Sequence, residues 1–148
     1  LALIVTSALR IEELSDDHLP AAFAVVRQLR EHLDLPDMLA RVKRQRAIGY
    51  RMFVARDASG VVVGAMGMRP VDTLARGHHL HVDDLVVDAG HRSAGIGAEL
   101  MAFAERWAME HGCASVFLDS RPEAMRFYAR LGYAPHTAIL VRKRLASP

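Results

Sequence analysis

The sequence predicts a single mixed α/β domain, a central β-sheet flanked by helices. Three observations carry that expectation: a length of 148 residues suited to one core, short apolar runs bounded by turn residues, and amphipathic helical segments interleaved with those runs. Hydrophobic residues make up 51% of the chain and charged residues 24%, which is the composition of a globular protein and not of a disordered one. No repeat and no Pro/Gly/Ser-rich linker divides residues 1–148, so they are read as one unit with 1–8 as a loose end.

A short strand is expected over residues 8–13. Ser15 then offers a helix cap, and Asp16 and Asp17 favour the positive end of the helix dipole. That helix is expected to reach about Leu33, with Ala22, Val25, Val26 and Leu29 at helical spacing on its buried face. Pro36 opens a second helix to about Ile48. Residues 50–56 and 61–69 form a hairpin, because apolar runs flank the turn-forming cluster Asp57-Ala58-Ser59-Gly60.

The next strand, residues 79–87, leads into a loop and then into a long helix from about Gly95 to His111. On that helix Ile96, Leu100, Phe103 and Trp107 make an apolar stripe, and Gly112 is placed to close it in the left-handed conformation. Residues 114–118 form a short strand, residues 122–131 a helix ended by Gly132, and residues 137–145 the last strand.

Charge and cysteine usage exclude several function classes. The formal charge is +2 with both signs interspersed, so no basic stripe marks a nucleic-acid footprint. The apolar start, residues 1–5, is too short for a membrane span or a signal peptide, so no membrane association is expected. Cys113 is the sole cysteine, which excludes an internal disulfide and fits a reducing, cytoplasmic setting. It follows a helix C-terminus, where the negative dipole end opposes thiolate formation, so it is not read as a nucleophile. In His78-His79-Leu80-His81, His79 and His81 share a strand face, but no third ligand at a recognisable spacing completes a metal site. These histidines are read as lining for an acceptor cleft or as surface.

The loop before the long helix carries the chemistry. The run Arg92-Ser93-Ala94-Gly95-Ile96-Gly97 puts two glycines where a helix begins, with several backbone N–H groups left without intrahelical acceptors. The helix dipole adds partial positive charge there, and the absent side chains of Gly95 and Gly97 let a diphosphate approach the backbone. A lone Gly-x-Gly is as often only a tight turn, and that reading stands beside the functional one. A dinucleotide fold would place a third glycine where Leu100 stands, and a P-loop would need Gly-Lys-Ser/Thr, which the chain lacks.

With the preceding Leu85-Val86-Val87, this segment resembles the GNAT superfamily signature, Arg/Gln-x-x-Gly-x-Gly/Ala after a strand. The later run Ala124-Met125-Arg126-Phe127-Tyr128-Ala129-Arg130-Leu131-Gly132-Tyr133 is similar to that family's Phe-Tyr-x-x-x-Gly-Phe motif. The resemblance covers roughly residues 80–135. One departure follows the short strand, where many members carry an Asn and this chain reads Asp119-Ser120-Arg121-Pro122.

The resemblance implies a mixed, mostly antiparallel sheet and an acetyl-CoA-dependent N-acetyltransferase acting on a primary amine of a small molecule or peptide. It implies that the backbone of Leu85, Val86 and Val87 pairs with the pantetheine arm. The N–H groups of Arg92, Ser93, Ala94, Gly95, Ile96, Gly97 and Ala98 would hold the diphosphate. Tyr128 would protonate the departing thiolate, and Asp83, with Asp84 in reserve, would deprotonate the amine. Strand alternation puts Asp83 and Asp84 on opposite faces unless the strand bulges there. Family habit also allows a homodimer, with the last strand or the first helices as the contact. The alternative from another class is a regulatory domain that binds CoA without transferring an acyl group.

Overall fold

The computed structural model describes residues 9–146. Its elements are β1 (Arg10–Glu13), a 3-10 stretch (Asp16–Ala22) continuing into α1 (Phe23–Leu29), α2 (Leu35–Arg46), β2 (Arg51–Arg56), β3 (Val62–Thr73), β4 (Gly77–Val87), α3 (Ile96–Glu110), β5 (Val116–Leu118) and α4 (Met125–Arg130). The five strands form one sheet in the order β1-β2-β3-β4-β5. All neighbours run antiparallel except β4 and β5, which are parallel. Residue 8, the expected start of the first strand, lies outside the described residues.

The two sheet faces are buried by different helices. On one, Phe53, Met66, Met68, Leu80 and Val82 pack against Leu100, Met101, Ala104 and Trp107 of α3. On the other, Met52, Val54, Ala65 and Val86 meet Val25 and Val26 of α1 and Met38 and Val42 of α2. This is the period-2 alternation of strands and the period-3.6 stripe of helices read out in three dimensions. Among the described residues no helix is long and apolar enough to cross a membrane.

Two expectations about the helices and one about the sheet are corrected. The first helix begins as a 3-10 stretch containing Pro20, which has no N–H to donate, and it ends at Leu29, four residues short of Leu33. Arg30 leaves the helix with φ −114° and ψ 66°, turning its guanidinium toward β4. Residues 137–145 do not form a last strand. They run as irregular chain with Ile139, Leu140, Val141 and Leu145 exposed, because no strand edge among the described residues pairs with them.

Between β3 and β4 the register shifts: Gly67 lies opposite Asp84 and Met68 opposite Val82, so Asp83 is an extra residue in β4. Such a bulge bends its strand and re-aims the side chains beside it. Tyr50 occupies the space over Gly67 and donates a hydrogen bond to Asp84 Oδ2 at 2.7 Å. A Cβ on Gly67 would stand 1.7 Å from the Tyr50 hydroxyl oxygen, which no small adjustment relieves. The exchange Gly67→Ala is therefore expected to expel Tyr50 and leave Asp84 one partner short, at a cost of about 2–4 kcal/mol. In thermal unfolding this would lower Tm by on the order of 5–10 °C; an unchanged Tm would contradict the packing described.

Candidate active site

The site begins where two parallel strands part. Pairing of β4 with β5 runs Leu80↔Val116, His81↔Phe117 and Val82↔Leu118 and stops there. From Asp83 to Val87 the outer edge of β4 has no strand neighbour among the described residues, while its inner edge stays paired with β3 through Leu85↔Met66, Val86↔Ala65 and Val87↔Gly64. Backbone groups on an open edge need partners, and an extended polar ligand supplies them in the manner of an added strand. Leu85, Val86 and Val87 thus line an open fork.

At the far end of the fork, α3 presents its N-terminus. Gly95 caps it in the left-handed region (φ 78°), and Ser93 is left-handed as well (φ 72°). The first intrahelical bond of α3 comes from Glu99 N–H to the Gly95 carbonyl, so the N–H groups of Ile96, Gly97 and Ala98 precede the ladder. Arg92, Ser93, Ala94 and Gly95 are exposed, and a Cβ on Gly95 would meet nothing within 4 Å. Such a helix start, with exposed loop and free N–H groups, is the kind of place that receives an anion. Gly97 serves a different purpose from the one expected: it is buried, and a Cβ there would lie 3.1 Å from Phe127 Cζ. Its missing side chain seats α4 against α3, and only its N–H is left for an anion.

The loop is held from behind. Asp88 accepts from Gly90 N–H and from Gln28 Nε2 at 2.8 Å, pairs with His91 Nδ1 at 2.8 Å, and Gln28 Oε1 accepts from Ala89 N–H. These bonds, that from Gln28 foremost, keep the Asp88 carboxyl below its ordinary pKa.

Tyr128 closes the fork. It is buried on α4, stacked edge-to-face on Phe127, and its ring lines a cavity of about 130 Å³ together with Val82, Asp83, Leu85, Leu118 and Asp119. Burial raises its pKa above the ordinary phenol value, so the hydroxyl is protonated at neutral pH. The Tyr128 hydroxyl forms no hydrogen bond to another described residue.

The bulge brings Asp83 and Asp84 to the same side of the sheet. Asp83 is gripped by Arg69, Nε to Oδ2 at 2.8 Å and Nη2 to Oδ1 at 3.2 Å. Asp84 accepts from Arg30 at 2.9 Å through Oδ1 and from Tyr50 through Oδ2. Arg30 Nη2 also donates to the Asp83 carbonyl at 2.9 Å. Burial, then the Asp84 carboxylate, pushes the Tyr50 hydroxyl far above the ordinary phenol range, which keeps it a donor. Arg30, Tyr50, Gly67 and Arg69 were not singled out from the sequence. The one local signal was a glycine inside a strand, which marks a bulge or a close approach.

Among the described residues no group of three or more His, Cys, Asp or Glu side chains gathers as a metal site. His79 is buried with Nδ1 against the Gly77 carbonyl. His78 pairs with Asp72. Cys113 is buried, and burial raises its thiol pKa.

Comparison with known proteins identifies the family and the fold. The model of the acetyltransferase (GNAT) family matches residues 11–133. A glucosamine 6-phosphate N-acetyltransferase of Trypanosoma brucei brucei is 30% identical over 100 residues, covering 66% of this chain and 67% of that protein. An uncharacterised N-acetyltransferase of Bacillus subtilis, YhdJ, is 30% identical over 116 residues, covering 76% of this chain and 82% of the relative. The crystal structure of a Trypanosoma brucei acetyltransferase superposes with a TM-score of 0.77 at 26% identity, over 93% of this chain and 99% of that one. The chain belongs to the GNAT family of acetyltransferases, and it is an acyltransferase.

Proposed function

We propose that the chain transfers an acetyl group from acetyl-CoA to a primary amine of a small molecule by direct attack in a ternary complex. The observation that carries this reading is the meeting, at one parting of strands, of an open backbone edge, a glycine-capped helix N-terminus and a buried, protonated tyrosine. The co-substrate would supply the activated acyl thioester. Leu85, Val86 and Val87 would hold its amide arm in extended conformation along the fork. The N–H groups of Arg92 to Ala98 would hold its diphosphate, with the Arg92 guanidinium free to add a charge-assisted bond.

The Tyr128 hydroxyl would give its proton to the departing sulfur, and a β4 N–H near Val86 would face the carbonyl oxygen as negative charge develops there. Asp84, with both oxygens already engaged by Arg30 and Tyr50, serves as a clamp on the bulge. Asp83, held in the cavity by Arg69, presents negative charge toward an amine. The Trypanosoma relative's name makes an amino sugar phosphate the first acceptor to try.

The test is release of CoA thiol in the presence of glucosamine 6-phosphate, glucosamine, spermidine and sisomicin. Tyr128→Phe is expected to lower kcat by roughly 10²–10³-fold with acetyl-CoA affinity unchanged. Tight CoA binding with no turnover on any amine would replace the enzyme by a CoA-binding regulatory domain. A left-handed backbone is strained for a β-branched residue, so Gly95→Val is expected to raise KM for acetyl-CoA roughly tenfold or more while kcat at saturation moves little. Steady-state kinetics with acetyl-CoA varied would check this; an unaltered KM would remove the loop from the cofactor site.

A further inference from the structure

We propose that His81 is the base that takes the proton from the acceptor's ammonium group. The proposal rests on the acetyl-transfer reading above and deepens it. His81 lies on β4 two residues before the bulge, opposite Arg69 on β3 and Phe117 on β5, and its side chain is 13% exposed. Its Nε2 stands 3.8 Å from Asp83 Oδ1 and 3.7 Å from Asp119 Oδ2. Those separations are too long for direct hydrogen bonds and suit acceptors sharing one donor between them. An alkylammonium group carries three N–H donors, and here a ring nitrogen and two carboxylate oxygens converge.

The placement is what singles His81 out. Asp83 and Asp119 line both the fork cavity, which holds Tyr128, and an adjoining cleft of about 540 Å³ that contains His81, Arg69, Thr73 and Arg76. An amine entering by that cleft passes His81, which lines it, on the way to Asp83 and Asp119, the residues that the two spaces share. His78 has both ring nitrogens engaged, with Asp72 and the His111 carbonyl, and His79 is 2% exposed with its Nδ1 on the Gly77 carbonyl, whereas the His81 ring makes no hydrogen bond to another described residue.

The charged and titratable groups facing His81 are Asp83 and His79 on its own strand, Arg69 on β3 and Asp119 after β5. Burial lowers its pKa below the ordinary imidazole value, Asp83 and Asp119 oppose that shift, and Arg69 and His79 reinforce it. The ring is therefore neutral at pH 7, with a lone pair available, and it loses this capacity only as pH falls through the lowered value.

The step balances as follows. His81 Nε2 takes one proton from the ammonium nitrogen, whose freed lone pair forms the C–N bond as the C–S bond breaks with its electron pair on sulfur. Tyr128 gives sulfur its proton and is made whole by the second proton leaving nitrogen. His81 then returns the first to solvent, so one proton is released per turnover.

The experiment compares the pH dependence of kcat/KM for the best acceptor among the four amines above, at saturating acetyl-CoA, in wild type, His81→Gln and His81→Asn. Tm and CoA binding of each variant serve as controls. Wild type is expected to lose activity on the acid side through a pKa below about 6.5. Both variants should lose that limb, fall roughly 10²–10⁴-fold in kcat, and regain part of it with added imidazole. A folded, CoA-binding variant that keeps the limb and most of kcat would overturn the role of His81 while leaving the transferase reading intact. Absence of amine-dependent turnover in wild type would instead overturn both.

Discussion

The structure turns on one constraint: β4 cannot stay paired with β5 while it bulges against β3. Parallel pairing ends at Val82↔Leu118, and the extra residue in β4 is the next one, Asp83. The bend carries the following residues away from β5 and leaves an open backbone edge inside the molecule. Such an edge must find polar partners. The fork, the cavity under Tyr128 and the line leading to the N-terminus of α3 all follow from that departure.

The bulge also creates an electrostatic problem that the fold resolves locally. Two adjacent carboxylates now face the same side of the sheet, half-buried, where like charges repel and desolvation is costly. Arg69 answers Asp83 from β3, and Arg30, just after α1, answers Asp84 together with Tyr50, just before β2. The early end of α1 puts Arg30 within reach, and Gly67 makes room for Tyr50. Residues far apart in the chain are thus tied to one backbone irregularity.

This explains which features were legible in advance. Strands and helices marked by periodicity and turn residues appear close to their expected places, as do the helix start at Gly95 and the helix-closing Gly112 and Gly132. The family resemblance is what made the loop and Tyr128 site candidates. A bulge, by contrast, depends on register with a partner strand, which no local pattern encodes; the sequence showed only two adjacent aspartates whose directions hung on it. The partners Arg30, Tyr50 and Arg69 come from three other elements and were invisible for the same reason. Residues 137–145 have strand-like composition, yet composition does not provide a neighbouring edge, and among the described residues the segment has no strand partner.

The central claim is that the fork and the start of α3 together hold acetyl-CoA. The most direct measurement is a titration of the ¹⁵N-labelled protein with desulfo-CoA followed by amide NMR. The account predicts the largest shifts at Leu85, Val86, Val87 and the amides from Ser93 to Ala98, with the edge strand β1 unmoved. Saturable binding that leaves those amides in place and perturbs another surface would contradict it.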